Sequence, residues 1–384
     1  MPEPLRILFA SPAYWPAHAF GGPVVVAREL VARLVRAGNE VDVVTTTLVD
    51  VAARPARRTR VVRVDGATVT YLATPVRYRW MGITPTLPGH LVRRGKPDVA
   101  HVMGFRDPVT TGVAAWCRAR RIPYVFEPVG MFRPRLRKVA LKRAFDATVA
   151  RGVAGGARLV VVSSGRERED VVACGVPPER IRLRGNAFPE PPAPTGADPL
   201  AGAVPAGAPV VLYVGRIAAE KGVEFLLESA RRLPEAHVVL AGPDDRHGTM
   251  NAVRAAVVDP TTHGRVHVLP PTPGPPYDLY RRADVFVLAS GGENFGLVAA
   301  EAAAVGTPVV VSDRTGVASA FADGEALVVP YDPDATVAAV ERVLTDAALR
   351  ARLSEGALRA AARSTWDDVA AQQEEIYREA IGSG

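Results

Sequence analysis

The chain predicts an α/β fold with parallel sheets in two domains, and three observations carry that prediction. Nine short apolar runs, at 5–10, 41–45, 99–103, 124–126, 159–162, 210–214, 238–240, 285–288 and 309–311, alternate with stretches of helical character. Apart from Arg6, Asp42, Thr45 and His101 they are apolar throughout rather than alternating, as strands buried on both faces are. The 384 residues exceed what one hydrophobic core organises, and a 48% hydrophobic content supplies apolar residues for two. Between the fifth and sixth runs, 189–209 is rich in Pro, Ala and Gly and carries only Glu190 and Asp198 as charges, which reads as a linker. The expected division is 1–188, a linker at 189–208, a second domain at 209–364, and a final helical segment at 365–384.

Taken in order, the first run ends in an unusually long loop, Ser11-Pro-Ala-Tyr14-Trp15-Pro-Ala-His18-Ala-Phe-Gly21-Gly22. A helix is expected from about 23 to 36, with Pro23 in its first turn and Gly38 past its end. Gly21 and Gly22 allow a ligand to approach the backbone at the helix start. Tyr14, Trp15 and His18 either cover such a ligand or pack the loop. Further on, 131–145 interleaves Arg133, Arg135, Arg137, Lys138, Lys142 and Arg143 with apolar residues. This stretch suits an anionic membrane or a phosphorylated acceptor, or else is the solvated face of an ordinary helix.

The second half carries two loops of chemical interest. The run 210–214 leads into Gly215-Arg216-Ile-Ala-Ala-Glu220-Lys221-Gly222, which offers two cations and flexible glycines at a strand end and so suits a diphosphate. A surface turn with incidental charges is the bland alternative. The run 285–288 leads into Ser290-Gly-Gly-Glu293-Asn294-Phe295-Gly296-Leu-Val-Ala-Ala-Glu301. Helix formers from about 295 to 305, stopped by Gly306-Thr-Pro308, place a helix start just past a parallel strand, where free amides favour anions. Glu293 lies in the turn and Glu301 inside the helix, too far apart to share a metal or a proton. They suit two parts of one long ligand, a sugar and a ribose with a diphosphate between them. Otherwise Glu293 is solvated and Glu301 pairs with an arginine.

The segment from Glu293 to Glu301 resembles the E-x7-E motif of retaining glycosyltransferases of the GT-B fold, most closely glycosyltransferase family 4. The Gly215-Arg216 and Lys221-Gly222 loop, Leu240-Ala-Gly-Pro-Asp244, the stretch from Tyr280 to Leu288, Gly316 and the stretch from Trp366 to Tyr377 are similar to that family in the same order. The resemblance implies two Rossmann-like domains with parallel sheets facing across a cleft, an N-terminal acceptor domain and a C-terminal donor domain, with the last helix crossing back to the first. It implies transfer of a hexose-type sugar, with retention and without a metal or other cofactor, from a UDP-sugar or GDP-sugar to an acceptor hydroxyl. The acceptor would be a sugar, a lipid-linked molecule or a small molecule, so that the product is a glycolipid, polysaccharide or secondary metabolite. Arg216, Lys221 and Glu293 would be catalytic. Gly21, Gly22, Gly215, Arg216, Lys221, Glu293, Asn294, Phe295, Gly296 and Glu301 would bind the donor.

One departure concerns the sugar-facing side. Many relatives resemble Asp-x-x-His-x-His at Asp98-Val-Ala-His101-Val-Met103, but here the second histidine is Met103, and a further histidine position is Val129 in Glu127-Pro-Val-Gly-Met131. His18, Glu127 and His101 are the remaining candidates to face the acceptor or sugar, with His101 also readable as a packed strand residue. Two rival functions share these features: a sugar phosphorylase of the same fold, and a non-catalytic nucleotide-sugar-binding homologue.

Composition bounds the rest. Cys117 and Cys174, in neither a metal nor a redox spacing, exclude a disulfide framework. The absence of a signal peptide or of a membrane-spanning apolar run predicts a cytoplasmic protein, peripheral at the inner face of the membrane if 131–145 touches lipid. The net charge of +7 favours anionic partners. Nucleic acid is not among those expected.

Overall fold

Val, Ile, Leu and aromatic residues dominate the apolar runs because strands buried on both faces need side chains that fill a pleated surface. A computed structural model describes residues 3–50, 56–78, 80–132, 151–272 and 274–382. The chain forms two compact units, Met1–Asn186 with Trp366–Gly384, and Ala187–Thr365.

The described strands of the first unit are β1 (Arg6–Ala10), β2 (Glu40–Thr46), β3 (Arg60–Val64), β4 (Ala67–Leu72), β5 (Val76–Tyr78), β6 (Met81–Ile83), β7 (Val99–Met103), β8 (Tyr124–Glu127), β9 (Leu159–Val162) and β10 (Ile181–Leu183). Eight of these form one sheet in the order β10-β9-β8-β7-β1-β2-β4-β3. The chain leaves β1 toward β2 on one side and later returns to β7 on the other, so the loops diverge at the carboxyl ends of β1 and β7. The pairings of this sheet are parallel except at one edge, where β3 runs antiparallel to β4, and β5 and β6 form a separate antiparallel hairpin. Strand β3 reads Arg-Val-Val-Arg-Val and is exposed along nearly its whole length, so it has no apolar run to betray it.

Helix Gly22–Arg36 has Pro23 in its first turn and buries Val24, Ala27, Leu30, Val31 and Leu34, a stripe at helical spacing. Helix Pro108–Arg120 starts at Asp107, whose carboxylate accepts from the amides of Val109 and Thr110. The last helix, Trp366–Gly382, packs within this unit against helix Gly22–Arg36 and strands β7 and β8. Trp366, Val369, Ala370, Gln373, Ile376, Tyr377 and Ala380 form its buried stripe. No described helix is long and apolar enough to cross a membrane.

In the second unit the described strands are β11 (Val210–Val214), β12 (His237–Ala241), β13 (Val266–Leu269), β14 (Val285–Leu288), β15 (Val309–Ser312) and β16 (Leu327–Val329). They form one parallel sheet in the order β13-β12-β11-β14-β15-β16. The order reverses between β11 and β14, whose carboxyl ends carry the Lys-Gly loop and the acidic loop. The segment expected as a linker, 189–208, is instead packed on this unit. Leu200 and Val204 are buried in its core and the Thr195 hydroxyl donates to Asp278. Its few apolar side chains suffice to anchor the prolines and glycines between them.

Candidate functional site

The loop after β11 is held where only glycine fits. Gly222 has φ +71°, and a Cβ there would be driven into the carbonyl oxygen of Ala289 at the end of β14. Gly242, after β12, is pressed in the same way against the carbonyl of Gly215. Hydrogen bonds then join the two motif loops. The amide of Gly291 donates to the Glu220 carbonyl at 2.8 Å, and the Ser290 hydroxyl donates to the same oxygen at 3.1 Å.

The acidic loop is sewn to a third strip, after β15. The Glu293 amide donates to the Arg314 carbonyl, the Gly316 amide to the Glu293 carbonyl, and the Val317 amide to the Phe295 carbonyl at 2.7 Å. Gly316 lies so close to Asn294 that a Cβ would meet its carbonyl oxygen. These bonds hold Asn294 and Phe295 out of the helix, which begins at Leu297 rather than near 295, after Gly296 at φ +106°.

Among the sequence-predicted residues, Lys221 and Glu293 come into direct contact as an ion pair, with side chains 15% and 25% exposed. Arg216 points outward, exposed, and pairs with Glu220 at 3.1 Å. Glu301 lies in the fifth helical position, about 6 Å along the axis from the helix start at 1.5 Å per residue. Its partner is not an arginine. The buried Tyr280 hydroxyl donates to Oε2 at 2.7 Å, and burial, partly opposed by that bond, raises the Glu301 carboxyl to about 7. Tyr280 was missed because nothing in the sequence around it shows that its hydroxyl reaches a carboxylate 21 residues on.

In the first unit, Gly21 has φ +76° and caps helix Gly22–Arg36, with open space where a Cβ would stand. His18 is exposed on a short 3-10 turn, His18–Phe20, its ring edge-on to Trp15 at 4.1 Å. The Arg28 guanidinium stacks on the other ring system of this loop, 3.7 Å from the centroid of Trp15. Tyr14 is buried, so packing accounts for it.

The acceptor-facing assignment of Glu127 and His101 is corrected by their burial. His101 lies between Glu127 Oε2 at 3.0 Å and the Tyr377 hydroxyl at 2.7 Å, while Glu127 Oε1 accepts from Arg184 at 2.8 Å. Arg184 is fully enclosed and also donates to Gln373 at 2.9 Å. Both nitrogens and both oxygens are taken by protein partners, which leaves none for an acceptor. Burial alone would raise the Glu127 carboxyl, but Arg184 and His101 outweigh it and hold the group below its usual range; burial lowers His101. Val129, where relatives carry a histidine, has φ +52°, a strained conformation for a β-branched residue. Its neighbour Gly130 donates its amide to the buried Glu167. The basic residues of 133–145 lie outside the described residues.

Two family models match the chain: "Glycosyl transferase 4-like domain" over residues 21–187 and "Glycosyl transferases group 1" over residues 200–359. The D-inositol 3-phosphate glycosyltransferase of Xylanimonas cellulosilytica is 37% identical over 182 residues, 46% of this chain and 44% of that protein. The chain spans about half the length of the first curated relatives it matches. D-inositol 3-phosphate glycosyltransferase 1 of Catenulispora acidiphila is 29% identical over 95% of this chain and 92% of its own length. Among solved structures, the Anabaena HepE protein in complex with UDP-glucose superposes with a TM-score of 0.73 over 98% of this chain and 100% of that one, at 17% identity.

Proposed function

We propose, from the fact that this chain belongs to glycosyltransferase family 4 and has the GT-B fold, that it transfers a sugar from a nucleotide-diphosphate sugar to an acceptor hydroxyl with retention of anomeric configuration. The observation that carries the reading is the Lys221–Glu293 ion pair, which joins the two loops at the point where the sheet order reverses. In α/β sheets this is where ligands bind.

In this reading the diphosphate lies over the Lys-Gly loop and the start of helix Leu297–Ala304. Lys221 turns from Glu293 to the phosphate oxygens, and Arg216, already exposed, exchanges Glu220 for the same anion. Glu293 is then free to accept from sugar hydroxyls, and Glu301 accepts from the ribose. As the anomeric carbon–oxygen bond breaks, its electron pair goes to the departing phosphate oxygen, where the two cations and the helix amides stabilise it. The acceptor oxygen bonds to the anomeric carbon on the face being vacated, and its proton passes to the departing phosphate. These protein groups supply the charge stabilisation that a metal would otherwise give. HepE is named with UDP-glucose and the curated relatives for an inositol phosphate. UDP-sugars, followed by GDP-sugars, therefore lead a donor screen, and a polyol phosphate leads an acceptor screen.

Calorimetric titration of UDP and GDP, with and without a chelator, tests the donor site. One of the two nucleotides should bind in either condition, and Glu301→Ala should weaken it by about 10- to 100-fold, the loss expected of charge-assisted hydrogen bonds. Absence of binding to both nucleotides, or equal affinity in the variant, would overturn the assignment.

A further inference from the structure

We propose that Tyr280 is a positioning residue for nucleotide binding, its hydroxyl fixing one oxygen of Glu301 so that the other is presented to a ligand hydroxyl. The proposal deepens the donor-site reading and rests on it.

The geometry is specific. Tyr280 lies on the short helix Tyr277–Arg282 and is fully buried, edge-on to Phe286 of β14 at 5.6 Å and to Tyr277 at 6.2 Å. Its main chain is also held, because the Thr307 hydroxyl donates to the Tyr280 carbonyl at 2.7 Å. Thr307 follows the helix that carries Glu301, so ring and carboxylate are clamped at both ends of the contact. The phenol engages Oε2. Oε1 has no partner among the described residues.

The surroundings make this one bond decisive. The elements packed on helix Leu297–Ala304 present apolar residues to it: Leu353, Ala357 and Ala360 from helix Ala347–Arg363, Phe286 and Leu288 from β14, Val309 and Val311 from β15, and Val317 from the 3-10 turn Gly316–Ala320. Tyr280 is the titratable group that bears on Glu301, and Tyr277 bears on Tyr280 in turn. Burial drives the Glu301 carboxyl up while the phenol pulls it down, to about 7. The phenol itself is pushed well above its ordinary value by burial and by Glu301, so it remains the donor. Without it, burial acts unopposed and the carboxyl is pushed higher still.

The sign of the pH dependence follows. A ligand hydroxyl that donates to Glu301 prefers the anion, so nucleotide affinity rises with pH up to about 7 and levels above it. In Tyr280→Phe the rise should move upward by about one pH unit, with affinity recovering at high pH. A merely structural role would lower affinity at every pH.

Two readouts on the full chain test this. The Glu301 carboxyl is titrated by carbon NMR of protein labelled in glutamate, its resonance identified by its loss in Glu301→Gln. UDP and GDP affinities are measured over the same pH range in wild type, Tyr280→Phe and Glu301→Gln. The expected results are a higher carboxyl midpoint and a displaced affinity profile in Tyr280→Phe, and in Glu301→Gln a profile reduced to the titration of the nucleotide's own terminal phosphate. An unchanged midpoint, or a Glu301→Gln profile identical in shape to that of wild type, overturns the role. The NMR arm needs no ligand, so a wild type that binds neither nucleotide would count against the donor site while the midpoint alone decides the Tyr280–Glu301 coupling.

Discussion

Replacing Lys221 by alanine should lower turnover at saturating donor by about 10²- to 10³-fold, the loss that follows removal of one preorganised group aimed at developing negative charge. The expectation comes from the pairing of Lys221 with Glu293. In the resting protein the lysine neutralises that carboxylate, at a partly buried position. In the proposed reaction it would serve the diphosphate, whose charge grows as the glycosidic bond breaks. The variant loses that stabilisation and also leaves Glu293 unpaired beside an anion. Donor affinity should fall by less than turnover, because ground-state binding retains Arg216, the helix amides and Glu301. Steady-state kinetics with labelled donor, together with calorimetric donor affinity, separate the two effects. A loss confined to affinity would assign Lys221 to binding alone, and unchanged kinetics would remove it from the site.

Arg184→Met is expected to destabilise the first unit by about 3–5 kcal/mol, since it strands a buried carboxylate. Arg184 is enclosed on the segment just before the chain passes into the second unit, and it links Glu127 of β8 to Gln373 of the last helix. Its removal should lower the thermal midpoint of that unit by on the order of 10 °C, given about 2–4 °C per kcal/mol for a unit of this size. The paired change Arg184→Met with Glu127→Leu should recover part of the loss, because the stranded charge goes with its partner. A single variant as stable as wild type would show that the network contributes no net stability. The pH dependence changes sign as well. In wild type the depressed Glu127 carboxyl contributes stability that is present above its ordinary range and lost as pH falls through its folded value. In the variant, burial dominates and raises the group, so stability should instead fall as pH rises past the ordinary carboxylate range.

What could be read before the fold was known follows from how local each signal is. The central strands announce themselves because burial on both faces makes them continuously apolar. Strand β3 does not, since its exposed Arg-Val-Val-Arg-Val resembles loop. The loops Gly215–Gly222 and Glu293–Glu301 carry glycines, cations and carboxylates at spacings tied to strand ends, so their residues stood out as candidates, although the pairing of Lys221 with Glu293 did not. Partners supplied by other elements were not. Tyr280 and Glu301 meet through helix packing, Arg184 is buried despite a charge that reads as surface, and Glu127 was a candidate ligand-facing group because a strand-end position does not reveal whether the loops above it close, whereas mid-strand His101 has the packed place that was its other reading. The segment 189–208 misled by composition, which registers prolines and glycines but not the two apolar anchors among them.

The glycine contacts at 222, 242 and 316 bear on how such enzymes are recombined. Gly222 abuts Ala289 and Gly316 abuts Asn294, so the strips at 215–222, 289–296 and 312–317 behave as one moulding rather than as separable inserts, with Gly242 pressed against the first of them at Gly215. A chimera that imports only 289–296 from a relative would bring foreign carbonyl positions against Gly222 and Gly316 and should lose thermal stability, whereas importing all three strips together should keep it. The proposed donor site of this chain is thus a patchwork of three distant stretches, and grafts meant to change its ligand should be cut along those seams.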